Sequence, residues 1–212
     1  MICRRLVLAA AASFAFAVSA ASALAQDWKA KYPELVMALV PAENATGVLA
    51  RVGPFADYLT GELGVKVTLR VANDYTAVIE GQKNRQIHIG QYGPGSYARA
   101  NAVSGGNVIP FVTLRNSGGV IGYYSVMYVR ADSEFKSVAD LKGKILGLVD
   151  VESTSGYKAP TFFLADQGFP IDKHFKLAQP TGSHENAIVA LASGTVDAAM
   201  NWWNAEDDSN LN

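Results

Sequence analysis

Ser153-Thr154-Ser155-Gly156 sets three hydroxyls in a row, after an apolar run and ahead of a segment with helical spacing. A helix start carries unpaired backbone N–H groups and the positive end of the helix dipole, so hydroxyls gathered there can hold an anion. The same residues also suit a plain N-cap, which needs one hydroxyl. His184-Glu185 follows Ser183 in another first turn. There an imidazole can donate to an oxyanion or simply lie in a solvated turn, while Glu185 suits the dipole. Tyr75 and Tyr92 each follow a strand-like segment. Their hydroxyls are good donors and their rings can wall a small ligand, although core tyrosines read the same way. Trp202-Trp203, flanked by Asn201 and Asn204, stands at a strand end, where one ring can pack and the other can floor a pocket. Glu206, Asp207 and Asp208 offer carboxylates to a ligand amine, or form a solvated acidic tip.

Other chemistries find no pattern. His88, His174 and His184 show no metal-ligand spacing, so no metal site is expected. There is no G-x-S-x-G elbow, and the Gly-rich stretches match neither a P-loop nor a dinucleotide fingerprint. Neither catalysis nor a cofactor is expected. No basic run or basic-aromatic stripe suggests nucleic acid.

The elements that must position these residues alternate between strand and helix. Strand-like segments are expected at 35–40, 65–71, 87–92, 108–114, 123–129, 144–149 and 196–200. Helices are expected at 55–63 with Pro54 in the first turn, at 76–85 capped by Asn73 or Asp74, and from the Gly93-Pro94-Gly95 break to Val103. Others are expected at 138–141, from the Ser153 cap to near Gly168, and from Ser183 to Ala192 with Gly194 past its end. This alternation implies parallel βαβ units, hence α/β lobes with helices on both faces of each sheet. Ligands of open α/β sheets sit outside the carboxyl ends of strands, and the Ser153 segment falls there. The Gly-rich stretch 116–122 is a plausible crossing between lobes. The expected organisation is 1–25 as a leader, 26–118 as the first lobe and 119–212 as an incomplete second lobe.

The leader reading rests on Arg4 and Arg5, an uncharged apolar run of about 16 residues, and Ala23-Leu24-Ala25. That run is short of the ~20 residues that span a bilayer. Cleavage after Ala25 would remove Cys3, the one cysteine, and two basic residues, leaving 16 basic against 19 acidic, a net of about −3. The mature chain would be an exported, soluble periplasmic protein without disulfides.

Read in order, N-D-Y-T-A-V-I-E-G (73–81), I-G-Q-Y-G-P (89–94), D-L-K-G-K (140–144), S-T-S-G (153–156), G-S-H-E-N-A (182–187) and G-T-V-D-A-A (194–199) resemble the phosphate/phosphite/phosphonate-binding proteins of ABC transporters. The resemblance covers nearly all of the mature chain. D-L-K-G-K is common to many binding proteins of this fold, whereas S-T-S-G followed by H-E-N-A is far more specific. It implies the periplasmic binding protein type 2 fold, with two α/β lobes closing over a ligand, and an inner-membrane ABC permease as partner. It implies that Ser153, Thr154, Ser155 and His184 hold the phosphonate oxygens, with Tyr92 and Tyr75 reaching from the other lobe. Where amine-binding members carry a carboxylate, this chain reads N-W-W-N-A-E, so Asn204, Trp202 and Glu206 border the ligand's other end. Family members also run on for further elements, which implies a C-terminally truncated chain. Two other readings stay open: the same fold binding another small anion such as a sulfonate, and a periplasmic sensory ligand-binding domain.

Overall fold

The computed structural model describes residues 28–116 and 118–204. The leader and Glu206, Asp207 and Asp208 lie outside the described residues. Strand β1 (Glu34–Leu39) is the centre of a parallel three-stranded sheet, flanked by β2 (Lys66–Val71) and β3 (Ile89–Gln91). Its alternate residues face opposite layers, as the pleat requires. Met37 and Leu39 pack against Val48, Val52 and Ala56 of α1 (Ala45–Leu63), while Val36 and Ala38 meet Val78 of α2 (Tyr75–Lys83) and Ile87. A third helix, α3 (Pro94–Val103), closes this first lobe.

The second lobe is a four-stranded sheet of order β4-β7-β5-β6. Strands β5 (Ile145–Leu148), β6 (Leu177–Pro180) and β7 (Ala198–Trp203) run parallel, while β4 (Tyr124–Val129) runs antiparallel to β7. A 3-10 turn (Val138–Leu141) precedes β5. A π turn (Thr154–Lys158) follows β5 and runs into α4 (Ala159–Asp166). Then come α5 (Ile171–His174) and α6 (His184–Ala192). Leu146, Leu148, Ala198 and Met200 form one core layer with Leu141, Leu164 and Phe175. The opposite layer joins Val149, Ala187, Leu191, Val196 and Ala199.

Several expectations change. Helix α1 begins ten residues earlier than the position of Pro54 suggested, and Pro54 lies inside it. Asn44 caps the start by accepting from the Gly47 N–H at 2.9 Å, and Val48, Val52 and Ala56 bury one stripe across the proline. Segment 108–114 belongs to no sheet: Val108 is buried, but Ile109, Phe111, Val112 and Leu114 are 73–79% exposed. Its strand-like composition lacks a ladder, because no described strand lies on the outer edge of β3. The all-parallel expectation fails at β4 for the second lobe. Element β6 and the short α5 were not anticipated, and β7 extends through the Trp pair.

Candidate functional site

Helices α1, α2 and α3 all start just beyond the carboxyl ends of β1, β2 and β3, so their N-termini point to one edge of the first lobe. Each meets an oxygen from the second lobe there. The Asn44 N–H donates to Glu185 Oε2 at 2.5 Å, and the Asn44 side-chain amide donates to both Glu185 oxygens at 3.0 and 3.1 Å. The Tyr75 N–H donates to the Asp150 carboxylate. The Gly95 N–H donates to Thr154 Oγ1 at 2.7 Å. In return, the Glu185 N–H donates to the Ala42 carbonyl at 3.0 Å. An Arg99–Glu152 ion pair at 3.8 Å spans the same seam.

The Ser153 turn lies in this seam. Ser153 is buried and caps the π turn by accepting from the Gly156 N–H at 3.1 Å. A π turn widens the backbone by one residue, a geometry common at functional sites. Gly156 is required by close approach, since a Cβ there would stand 2.2 Å from Val149 Cγ2. Ser155 is also buried, and its carbonyl accepts from Ser125 Oγ at 2.8 Å. Thr154 Oγ1 accepts from Gly95, which leaves its own O–H as a donor. Gly93 admits two hydroxyls to the same corner: a Cβ on it would lie 3.0 Å from Thr154 Oγ1 and 3.1 Å from the Tyr123 hydroxyl.

His184 is buried, with Nε2 3.4 Å from Ser153 Oγ and Nδ1 2.9 Å from Asn201 Oδ1. Burial pushes its pKa down to about 4, against a smaller upward pull from the Asn201 hydrogen bond. Tyr75, the first residue of α2, packs into the second lobe's core and hydrogen-bonds Ser153. Burial raises its hydroxyl to about 12, with Asp150 and Tyr123 nearby adding to the rise. Burial also raises the Asp150 carboxyl, and Asp74 and Glu152 add repulsion.

The structure thus brings Ser153, Thr154, Ser155, Tyr75 and His184 to one seam. Trp202 stands beside them, its ring 6.5 Å from the His184 ring at 86° and 41% exposed. Tyr92 is not brought there. Its hydroxyl donates to Gln82 Oε1 at 2.7 Å, with the Val78 carbonyl at 3.3 Å, and burial raises it to about 12. Asn204 is exposed just past β7, and Glu206 lies outside the described residues. The reading from sequence missed Asn201, Tyr123 and Asp150. Asn201 had a usable signal: a buried amide inside A-A-M-N-W-W must find partners. Tyr123 read as ordinary strand, and Asp150 as a loop residue. Among the described residues, no three His, Cys, Asp or Glu side chains gather as a metal site, and no helix is long and apolar enough to cross a membrane.

Comparisons with known proteins agree with this architecture. The chain is 31% identical over 178 residues to the phosphate-import protein PhnD of Mycolicibacterium smegmatis, covering 80% of this chain and 55% of that one. It is 29% identical over 167 residues to the phosphonates-binding periplasmic protein of Escherichia coli, covering 77% and 48%. The chain therefore spans about half the length of these curated relatives. Its fold matches the binding protein component of an ABC phosphonate transporter from Pseudomonas aeruginosa, with a TM-score of 0.72, 24% identity, and 81% and 57% of the two chains covered. It also matches PhnD1 of Prochlorococcus marinus in complex with methylphosphonate, with a TM-score of 0.69, 24% identity, and 79% and 63% covered. These neighbours have the two-lobed periplasmic binding protein fold. The family model described as "ABC transporter, phosphonate, periplasmic substrate-binding protein" matches residues 37–209, and the chain belongs to that family.

Proposed function

We propose that this chain captures a phosphonate, phosphite or phosphate between its lobes and delivers it to an inner-membrane ABC permease. The observation that carries the reading is the buried Ser153–Gly156 turn, set at a helix start and facing the other lobe's helix N-termini. Hydroxyls, backbone N–H groups and helix dipoles hold an anion without burying a cationic partner. Ser153, Thr154, Ser155, Tyr75 and Tyr123 take its oxygens, with His184 beside Ser153. Trp202 and Asn204 border the substituent on phosphorus, and Glu206 stays a candidate for an amine there. Tyr92 serves by holding Gln82 and α2 in place.

The lobes divide near residue 118, a reading supported by strands up to Gln91 in one sheet and from Tyr124 in the other. The leader is removed after Ala25, placing the protein in the periplasm, and the protein does no chemistry on its ligand. Support for the ligand class comes from the names of the two curated relatives and from the methylphosphonate held by PhnD1.

Thermal shift and calorimetry with methylphosphonate, phosphite, phosphate and 2-aminoethylphosphonate, against methanesulfonate and acetate, test this. The expected result is stabilisation by at least one phosphorus oxyanion and its loss in Ser153→Ala. Stabilisation by the sulfonate alone, or by none of the phosphorus ligands, overturns it.

A further inference from the structure

His184 offers this site a lone pair, not a proton. Its tautomer follows from the orientation of Asn201. The Asn201 amide donates through Nδ2 to the His184 carbonyl at 3.0 Å, and Asn201 Oδ1 accepts from the Trp202 N–H at 2.9 Å. These two backbone contacts fix which end of the amide is oxygen. Oδ1 also lies 2.9 Å from His184 Nδ1, so Nδ1 carries the ring proton and donates. Nε2 is then the acceptor, and it faces Ser153 Oγ at 3.4 Å. Ser153 Oγ accepts from the Gly156 N–H and also hydrogen-bonds Tyr75, so its proton is not committed to Nε2; a ligand oxygen that takes that proton leaves the Nε2 lone pair free.

Among the described residues, no charged group is placed to turn the ring into an imidazolium. Asp150 accepts from the N–H groups of Tyr75 and Glu152, Asp74 caps α2 by accepting from the Ala77 N–H, and Glu185 is engaged by Asn44. The Tyr75 hydroxyl, which burial holds neutral, hydrogen-bonds Ser153, and the Tyr123 hydroxyl lies near Gly93. The low pKa of the ring agrees with this: the imidazole stays neutral through the physiological range.

We infer that the Nε2 lone pair of His184, fixed by Asn201, makes this site select an oxyanion that still carries a proton. A monoprotonated phosphonate, phosphite or phosphate gives its P–O–H to Nε2 while its ionised oxygens take the hydroxyl and N–H donors. A fully ionised dianion, or a sulfonate that has no proton to give, sets an oxygen lone pair against Nε2, which costs affinity. The inference rests on the ligand class proposed above and names the protonation state the site takes. It also gives the phosphonate-over-sulfonate choice a residue: Asn201, two bonds away from any ligand contact, acts as a positioning residue.

Two measurements test it separately. The ring nitrogen shifts of His184, read by long-range 15N–1H NMR with no ligand added, report the tautomer directly; protonated Nδ1 and bare Nε2 are expected. Binding of methylphosphonate and of trifluoromethylphosphonate, whose second ionisation is more acidic, is then measured by calorimetry between about pH 6 and 9. Affinity is expected to fall roughly tenfold per pH unit above each ligand's own second ionisation, so the two curves separate by the difference in ligand pKa. Asn201→Asp puts a carboxylate on Nδ1, makes the ring an imidazolium donor, and is expected to flatten both curves and admit methanesulfonate. An Nε2–H tautomer, or binding that ignores the ligand's second ionisation, overturns the acceptor role. A chain that holds the Nδ1–H tautomer but binds no phosphorus oxyanion overturns the ligand reading instead.

Discussion

At the scale of single residues, the buried imidazole has a cost that shows in stability. His184 folds with a pKa near 4, against 6.5 for an ordinary histidine, because burial disfavours its charged form. Below pH 6.5 the unfolded chain therefore binds a proton that the folded chain resists. The contribution is fully present above pH 6.5 and is lost progressively as pH falls toward 4, amounting to about 3 kcal/mol. His184→Gln removes the titration, so the gap between wild type and variant in urea unfolding is expected to shrink by that amount between pH 7 and 4. A gap that does not change with pH contradicts the assignment. The placement of the hydroxyl run and His184 at helix starts was legible from spacing, because helix starts announce themselves through Ser, Thr and a following helical period, while their role toward an anion came from the family resemblance. The tautomer was not, since it depends on Asn201 in a strand 17 residues further on.

At the scale of elements, the helix N-termini of the first lobe act as receptors for second-lobe oxygens. Glu185 makes the most connected of these contacts, holding the Asn44 backbone and side chain while its own N–H reaches Ala42. Hydrogen bonds to charged groups contribute about 1.5 kcal/mol or more when shielded, and about 1 kcal/mol at an exposed seam such as this. Glu185→Ala is therefore expected to speed exchange of the Asn44 and Gly95 amides roughly fivefold. The amides inside β1 should keep wild-type protection, because the first-lobe core is untouched. Equal acceleration at both places would mean global loosening and would contradict a seam contact. Strand and helix order was readable because βα alternation is written in periodicity. What escaped was tertiary: Pro54 sits inside α1 because the Val48–Val52–Ala56 stripe is buried on both sides of it, and Tyr92 turns to Gln82 because α2 offers its hydroxyl a half-buried acceptor.

For the whole molecule, surface exposure sets the behaviour in solution. Ile109, Phe111, Val112 and Leu114 are 73–79% exposed on an extended segment that no described strand accompanies, and Val120 and Ile121 are exposed as well. The outer edge of β3 has no described sheet neighbour either. Exposed apolar side chains and a sheet edge without a described neighbour each favour association between chains. Sedimentation velocity is expected to show the chain from Gln26 onward gaining mass between about 1 and 100 μM. The double change Phe111→Ser, Leu114→Ser should suppress that gain while moving the thermal midpoint by less than about 2 °C, because both side chains are already in water. Sedimentation that does not depend on concentration would show this segment to be harmless. A large fall in the midpoint would show that it is packed in solution, and the segment's missing ladder would then be formed there.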